Sequence, residues 1–368
     1  MKPIQPAFCL IVLTTLSLCC LADDGPLFVV AELEAGSSPT MSAGIGDLDL
    51  DGDLDVLVVR KFRATVIYLN DGTGSFAVSE QELPIGHFTD VGIADLDDDG
   101  DLDIVLVQYQ GPNLVLFNDG AAGYGTFGQE LGDGPTVGVS IADLDGDSDL
   151  DLFFAEYEAP LVIWFNDGTG RFNQSNQVFE SANNRKFALG DLDGDGDLDA
   201  IVPRDFGDAT ILLLNDGRGS FSRSDGVPDT AGLNGMNLSL GDLDGDGDLD
   251  ALFNCHGCAD AVWMNDGTAH FSDSGQSLST GWSYDSEFVD LDLDGDLDMI
   301  IANSNTRDQV WLNDGHGQFS RIMSIPQQPG STTVVIGDFD DDGDLDAFFG
   351  RYGRHEVVWL NTSVVALE

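Results

Sequence analysis

A nine-residue segment, Asp47-Leu48-Asp49-Leu50-Asp51-Gly52-Asp53-Leu54-Asp55, returns at Asp95, Asp143, Asp191, Asp242, Asp290 and Asp338, at spacings of 48, 48, 48, 51, 48 and 48 residues. A fixed period of this length marks a repeat architecture, in which one unit cannot bury its apolar surface alone and neighbours must stack to do so. An Asn stands 23 residues after each first Asp, or 24 in the fourth unit, and opens Asn-Asp-Gly at Asn70, Asn118, Asn166, Asn215, Asn265 and Asn313. The seventh, Asn361, runs into the C-terminus. These units use nearly all of residues 23–368 and leave no room for a separate catalytic domain.

Within a unit, short apolar runs alternate with turn signals. The second unit reads Val91-Gly92-Ile93-Ala94, the Asp loop, Ile104-Val105-Leu106-Val107, a turn at Gly111-Pro112, Leu114-Val115-Leu116-Phe117, then Asn118-Asp119-Gly120 and a last run near Phe127. Such runs, joined by Gly, Pro and Asn-Asp-Gly, are antiparallel strands and hairpins, and no segment keeps a helical period. The pattern predicts an all-β chain: a seven-bladed β-propeller of four-stranded antiparallel blades. The last unit stops three strands into a blade at Asn361, and Pro26-Leu27-Phe28-Val29-Val30 supplies a candidate fourth strand, so the N-terminal strand is expected to complete the C-terminal blade and hide the edges.

Five Asp per loop would repel one another without a cation. The candidate ligands are Asp47, Asp49, Asp51, Asp53 and Asp55; Asp95, Asp97, Asp99, Asp101 and Asp103; Asp143, Asp145, Asp147, Asp149 and Asp151; Asp191, Asp193, Asp195, Asp197 and Asp199; Asp242, Asp244, Asp246, Asp248 and Asp250; Asp290, Asp292, Asp294, Asp296 and Asp298; and Asp338, Asp340, Asp342, Asp344 and Asp346. Hard oxygen donors in this number suit Ca²⁺, up to seven ions, better than Mg²⁺, and no His or Cys is present to favour zinc. An EF-hand would need a Glu at the twelfth position between helices, where Val58 and Leu106 stand inside apolar strands.

Asp-x-Asp-x-Asp-Gly-x-x-Asp followed by Leu-Asn-Asp-Gly resembles the FG-GAP/VCBS-type repeats, related to the integrin α-subunit head propeller and to calcium-binding propeller lectins. The resemblance implies that positions one, three, five and nine give side-chain oxygens and position seven its main-chain carbonyl. The third unit departs from it, with Ser148 in the place of the glycine and therefore a left-handed backbone at a residue that resists it.

The chain carries 66 acidic against 14 basic residues, a formal charge of −52, with 42% hydrophobic residues, too apolar for a disordered acidic tail. That field excludes nucleic acid as a partner. Residues 1–22 read as a signal peptide: Lys2, an apolar core through Leu18, and small residues to a cleavage point after Ala22. No other stretch is long enough to span a bilayer, so the expectation is a secreted, extracellular or periplasmic monomer without membrane insertion. Cys255-His256-Gly257-Cys258 reads as a loop-stapling disulfide in an oxidising compartment rather than a redox motif or a zinc site.

Strand order places the Asp loops and Asn-Asp-Gly turns on one face of the ring. Nine basic residues fall on the other face, among them Arg60, Arg204 and Arg351, each 13 residues after a first Asp, together with aromatics such as Phe62, Phe88, Tyr109, Tyr157, Phe206 and Trp282. Scarce cations gathered with aromatics on loops suggest a recognition surface, and Arg60, Arg204, Arg351, Tyr109, Tyr157 and Trp282 are its candidate contacts. Two functions remain open: a calcium-stabilised binding or adhesion module for glycan or extracellular protein ligands, and a calcium-dependent polysaccharide lyase or hydrolase. No catalytic constellation stands out from the abundance of Asp.

Overall fold

The computed structural model describes residues 17–19, 28–33, 39–231, 233–324 and 329–361. The expected leader and its cleavage point lie outside these residues, apart from Ser17–Cys19, a short strand paired with Phe28–Leu33. Every other regular element is also a strand, and adjacent strands pair antiparallel. No helix among the described residues is long and apolar enough to cross a membrane.

Each unit is a meander. In the first, Thr40–Gly46 pairs with Asp55–Ala64, which pairs with Val66–Asn70, which pairs with Phe76–Val78. The second strand is buried on both faces because its alternate residues serve two different cores. Val56 and Val58 pack with Phe339, Phe348 and Val358 of the last unit, while Leu57 and Val59 pack with Ile104 and Leu106 of the second. A strand between two neighbours therefore reads as a continuous apolar run rather than an alternating one. The first strands meet around a central channel, and glycine permits their approach: a Cβ on Gly44 would stand 2.7 Å from Ile93, and one on Gly92 2.6 Å from Ile141. The strand Phe28–Leu33 pairs along Glu356–Asn361, six residues against six.

The expectation of seven separate four-stranded blades is corrected by the hydrogen bonding. Among the described residues the strands form six sheets: one of eight, two of five and three of four. Asp55–Ala64 and Ile85–Ala94 are each ten residues long, run past the hairpin end, and pair through Lys61↔His87 and Ala64↔Ile85, which merges the first two units into one sheet. Ala182–Asn183 adds to the edge of Asp151–Ala159 in the third unit, and Ser17–Cys19 adds to the last.

Two sets of side-chain rivets tie neighbouring units. On the Asp-loop face, the Asn of Asn-Asp-Gly donates Nδ2 to the second-position carbonyl of the preceding unit: Asn118 to Leu48, Asn166 to Leu96, Asn215 to Leu144, Asn265 to Leu192 and Asn313 to Leu243, at 2.8–2.9 Å. Asn70 donates to Phe339 at 2.9 Å, so the first unit is riveted to the last and the ring closes. On the other face, Asn113 Nδ2 donates to Thr136 Oγ1, while Ser283, Ser331 and Thr40 hydroxyls donate to Asp260, Asp308 and Glu356.

Asp260 has a measurable consequence. Burial pushes its carboxyl up to about 7, against hydrogen bonds from Ser283 Oγ and Cys255 N that favour the charged form. A carboxyl raised in the fold binds its proton more tightly than in the unfolded chain, so its contribution to stability is greatest below pH 4 and is lost as pH rises to about 7. Asn113 fills the equivalent place uncharged, accepting from Gln108 N and donating to Thr136. Asp260→Asn should therefore gain on the native protein as pH rises from 4 to 7, by up to about 4 kcal/mol at the plateau. Melts of both proteins at pH 5 and pH 8 check this; a difference independent of pH would refute it.

Candidate functional site

The Asp loops join first to second strands, and their geometry is set by backbone bonds to the carboxylates. Asp47 accepts from Asp51 N and Gly52 N at 3.1 Å each, Asp51 accepts from Asp53 N at 3.1 Å, and the same closure recurs in the other units. The ninth-position Asp is buried beneath the loop. Asp55 accepts Leu48 N on one oxygen and Asn70 N on the other, at 2.9 Å each, which locks the Asp loop to the Asn-Asp-Gly turn. Gly72 (φ 72°) completes that junction, because a Cβ there would lie 2.7 Å from the Asp53 carboxylate.

Carboxylate oxygens converge inside each loop. Those of Asp47, Asp49 and Asp55 lie within 4.8 Å of one another, as do those of Asp95, Asp97 and Asp99, of Asp143, Asp145 and Asp151, of Asp191, Asp193 and Asp199, and of Asp242, Asp244 and Asp246, with two further groups. The third-position Oδ1 atoms of Asp49, Asp97, Asp145, Asp244 and Asp340 are buried without a hydrogen-bond donor. Burial first, then neighbouring carboxylates, raise these Asp above the usual carboxylate range. Burial pushes the ninth-position groups higher still: to about 6 for Asp55, about 7 for Asp151 and about 8 for Asp346. Orphaned, desolvated oxygens in an all-carboxylate pocket fit a hard divalent cation.

Ser148 has φ 80°, the left-handed conformation expected for it. A second left-handed position was not legible in the sequence: Leu50, Asp98, Leu293 and Asp341 occupy the fourth place at φ 59–61°, where Gly146, Gly194 and Gly245 stand in other units. Only the fourth and fifth units have glycine at both places. Ser148→Gly removes about 1 kcal/mol of backbone cost. If the loops hold calcium as the resemblance implies, it should tighten one site about fivefold in a calorimetric titration and leave the others in place; a titration curve identical to that of the native protein would refute it.

The opposite face differs from its expected form in one respect. Arg60, Arg204 and Arg351 are only 5%, 5% and 3% exposed. Arg60 Nη2 lies 3.1 Å from Glu356, Arg204 Nη1 donates to Glu180 at 2.8 Å, and Arg351 Nη1 reaches the His355 carbonyl at 3.5 Å. Their position is the inner side of a hairpin, so these heads brace blades and do not reach a ligand. Phe88 is likewise core. Tyr109 and Tyr157 do come together, ring centroids 6.0 Å apart, and Trp282 is 44% exposed with His256 edge-on at 4.5 Å. They border two adjoining cavities of about 410 and 900 Å³ at the channel mouth, where Lys61, Arg185 and Phe206 join them. Cys255 and Cys258 form a disulfide in the neighbouring hairpin.

A closed ring of antiparallel blades, each with an acidic loop between its first two strands, defines a β-propeller repeat protein. The model of the FG-GAP-like repeat matches residues 47–106, 95–154, 143–202, 191–253 and 290–349, more than half of the sequence, and the chain belongs to that family. Its five matched repeats, with the six sheets above, replace the expected count of seven separate blades. No curated protein matches the sequence. Among solved structures, the BP39L lectin of Burkholderia pseudomallei superposes with a TM-score of 0.67 at 14% identity, covering 89% of this chain and 97% of the lectin. An Agrocybe aegerita lectin specific for non-reducing terminal N-acetylglucosamine gives 0.55 at 21% identity, covering 78% and 81%. BBS1N, solved in complex with ARL6DN, gives 0.65 at 11% identity, covering 92% and 97%. At these identities the likeness is one of fold.

Proposed function

We propose that this protein is an exported, calcium-binding propeller that acts as a glycan-binding module. The observation that carries the reading is the channel mouth: a wide cavity lined by exposed aromatic rings and cations on the face away from the acidic loops. Aromatic faces stack on sugar rings, and a rigid ring of sheets holds them in place without ordering cost on binding. The lectins sharing the fold support the same class of ligand. Export rests on the 1–22 leader and agrees with the disulfide. Calcium, held by the first-, third-, fifth- and ninth-position carboxylates and the seventh-position carbonyl, supplies charge neutralisation that fixes the strand connections on which the opposite face is built. A glycan array probed with calcium present tests the reading, and each hit is then incubated and scanned for ultraviolet absorption by unsaturated uronate. Specific hits that are bound and not cleaved support it; an array without hits, or cleavage of the hit, overturns it.

A further inference from the structure

Six of the first strands carry a register shift at the same place, one residue after their opening contact. Bulges re-aim side chains, and here they turn Met41, Thr89, Val137, Met236, Tyr284 and Thr332 to the channel mouth; Arg185 holds the corresponding place in the fourth unit. The next residue of each strand faces deeper into the channel. Lys186 reaches across from the fourth unit to Asp90 Oδ1 at 2.7 Å and Ser42 Oγ at 2.9 Å, while Asn237 and Thr333 donate to Asp285 at 2.6 and 2.8 Å. This collar narrows the channel below the mouth, giving it a funnel shape, and itself lines a deeper cavity of about 350 Å³.

The charge of the funnel runs against that of the chain. Among the described residues the mouth cavity is lined by Lys61, Arg185 and Lys186, with Asp90 and Asp285 in the collar beneath it, and the outer cavity adds Arg354 and Asp205, which is paired with Arg185. Lys186 is paired with Asp90 and Arg185 with Asp205, so in a chain of net charge −52 the mouth offers an anion Lys61, the outer N–H groups of Arg185 and, further out, Arg354. Arg185 lies 4.9 Å over the Tyr157 ring, and its Nε is buried without an acceptor. With Nε enclosed, the accessible part of this guanidinium beside the Tyr157 face is where a ligand carboxylate would be received. Phe206 supplies an independent observation. It sits at φ 53° and 70% exposed on a hairpin tip, the place that Phe62 (φ 57°), Glu158 (φ 56°), Gly257 and Gly353 hold in other units, and it lines the funnel rim where Phe62 does not.

We propose that the funnel takes the end of one carboxylate-bearing sugar chain per ring, its carboxylate on Arg185 and its ring against Tyr157 and Phe206. The proposal rests on the glycan-binding reading and adds charge, end-on entry and stoichiometry. It is tested by calorimetric titration of the full calcium-loaded protein with methyl glucuronide, N-acetylneuraminate, neutral methyl glucoside and hexaglutamate. The expected result is one site for an acidic sugar, binding at least tenfold weaker for the glucoside, affinity that falls with added salt, and a loss of tenfold or more in Arg185→Gln. Phe206→Gly, which relieves backbone strain and so preserves folding, should weaken the same binding several-fold. Acidic sugars that do not bind, equal affinity for the glucoside, several sites per chain, tighter binding of hexaglutamate, or unchanged affinity in both variants would overturn it. An array with neutral-sugar hits alone would sink this proposal and leave the broader glycan-binding reading standing.

Discussion

Excess chelator should lower the melting temperature of the calcium-loaded protein by roughly 10 °C or more, an estimate that follows from how ligand binding adds to stability. In at least five of the loops three carboxylate oxygens lie within 4.8 Å of one another. Two unit charges at that distance repel by about 3–4 kcal/mol at the effective dielectric of a protein surface. In five loops the third-position Oδ1 (Asp49, Asp97, Asp145, Asp244 and Asp340) has no hydrogen-bond donor to offset this, and the ninth-position carboxyls are held near or above pH 6 by burial. An ion bound only by the native state adds about 2.7 kcal/mol per site at a hundred times its Kd, so several sites together exceed about 10 kcal/mol. The entropy of unfolding of a chain this long is about 0.7 kcal/mol per degree, which converts that loss into the stated shift. Even seven bound ions would leave a chain cleaved after Ala22 at about −39 from 13 − 66 = −53, so the effect is local to the loops rather than a relief of net charge. Scanning calorimetry with and without chelator measures it, and coincident transitions would show that the loops hold no structural ion.

The loops and the strand order were legible because the sequence states both locally. A run of alternating Asp fixes the connection, and short β-rich runs between turn signals fix the meander. Sheet membership was not legible. Whether two blades fuse depends on how far Asp55–Ala64 and Ile85–Ala94 overrun their hairpins, and nothing in a 48-residue period reports that. The buried arginines were misplaced for a related reason. Thirteen residues after the first Asp is near the hairpin tip by count, yet Arg60 is still within the ladder, paired opposite Thr40, and its head turns inward to Glu356. Its neighbour Phe62, two residues on and left-handed at φ 57°, is the residue that reaches solvent. Arg185 and Tyr284 belong to the basic and aromatic residues that strand order assigns to this face, but the bulged place they share before each Asp loop was visible only as a column of unlike residues: Met41, Thr89, Val137, Arg185, Met236, Tyr284 and Thr332. Variation at one fixed place in an otherwise regular repeat was the available signal, and it marks the surface where units are free to differ.

Glu356→Ala should destabilise the ring by about 3–5 kcal/mol, the usual cost of breaking a buried ion pair from one side. Glu356 is fully buried and accepts at Oε1 from Thr40 Oγ1 (2.9 Å) and Arg60 Nη2 (3.1 Å), and at Oε2 from Tyr68 Oη (3.2 Å). Burial, reinforced by the Glu356 charge, holds the Tyr68 phenol far above its ordinary range, so that hydroxyl stays a donor at any accessible pH. Removing the carboxylate takes away the charge that lies 3.1 Å from the Arg60 guanidinium and leaves its Nη2 beside the Tyr68 phenol. The position gives the loss a structural direction as well. Glu356 lies in the last unit and its three donors in the first, so the clamp spans the seam at which Phe28–Leu33 pairs with Glu356–Asn361. Asn70 rivets the same seam on the opposite face through the Phe339 carbonyl. Opening should therefore begin there, and hydrogen exchange in Glu356→Ala should rise first in Thr40–Gly46 and Glu356–Asn361 while the third to fifth units keep their protection. Glu356→Gln, which keeps one acceptor oxygen for Thr40 and Arg60 but loses the charge and the acceptor of the Tyr68 hydroxyl, should fall between the native protein and the alanine variant. Equal melting temperatures for all three proteins would mean that the ring is held closed by strand pairing and apolar packing alone.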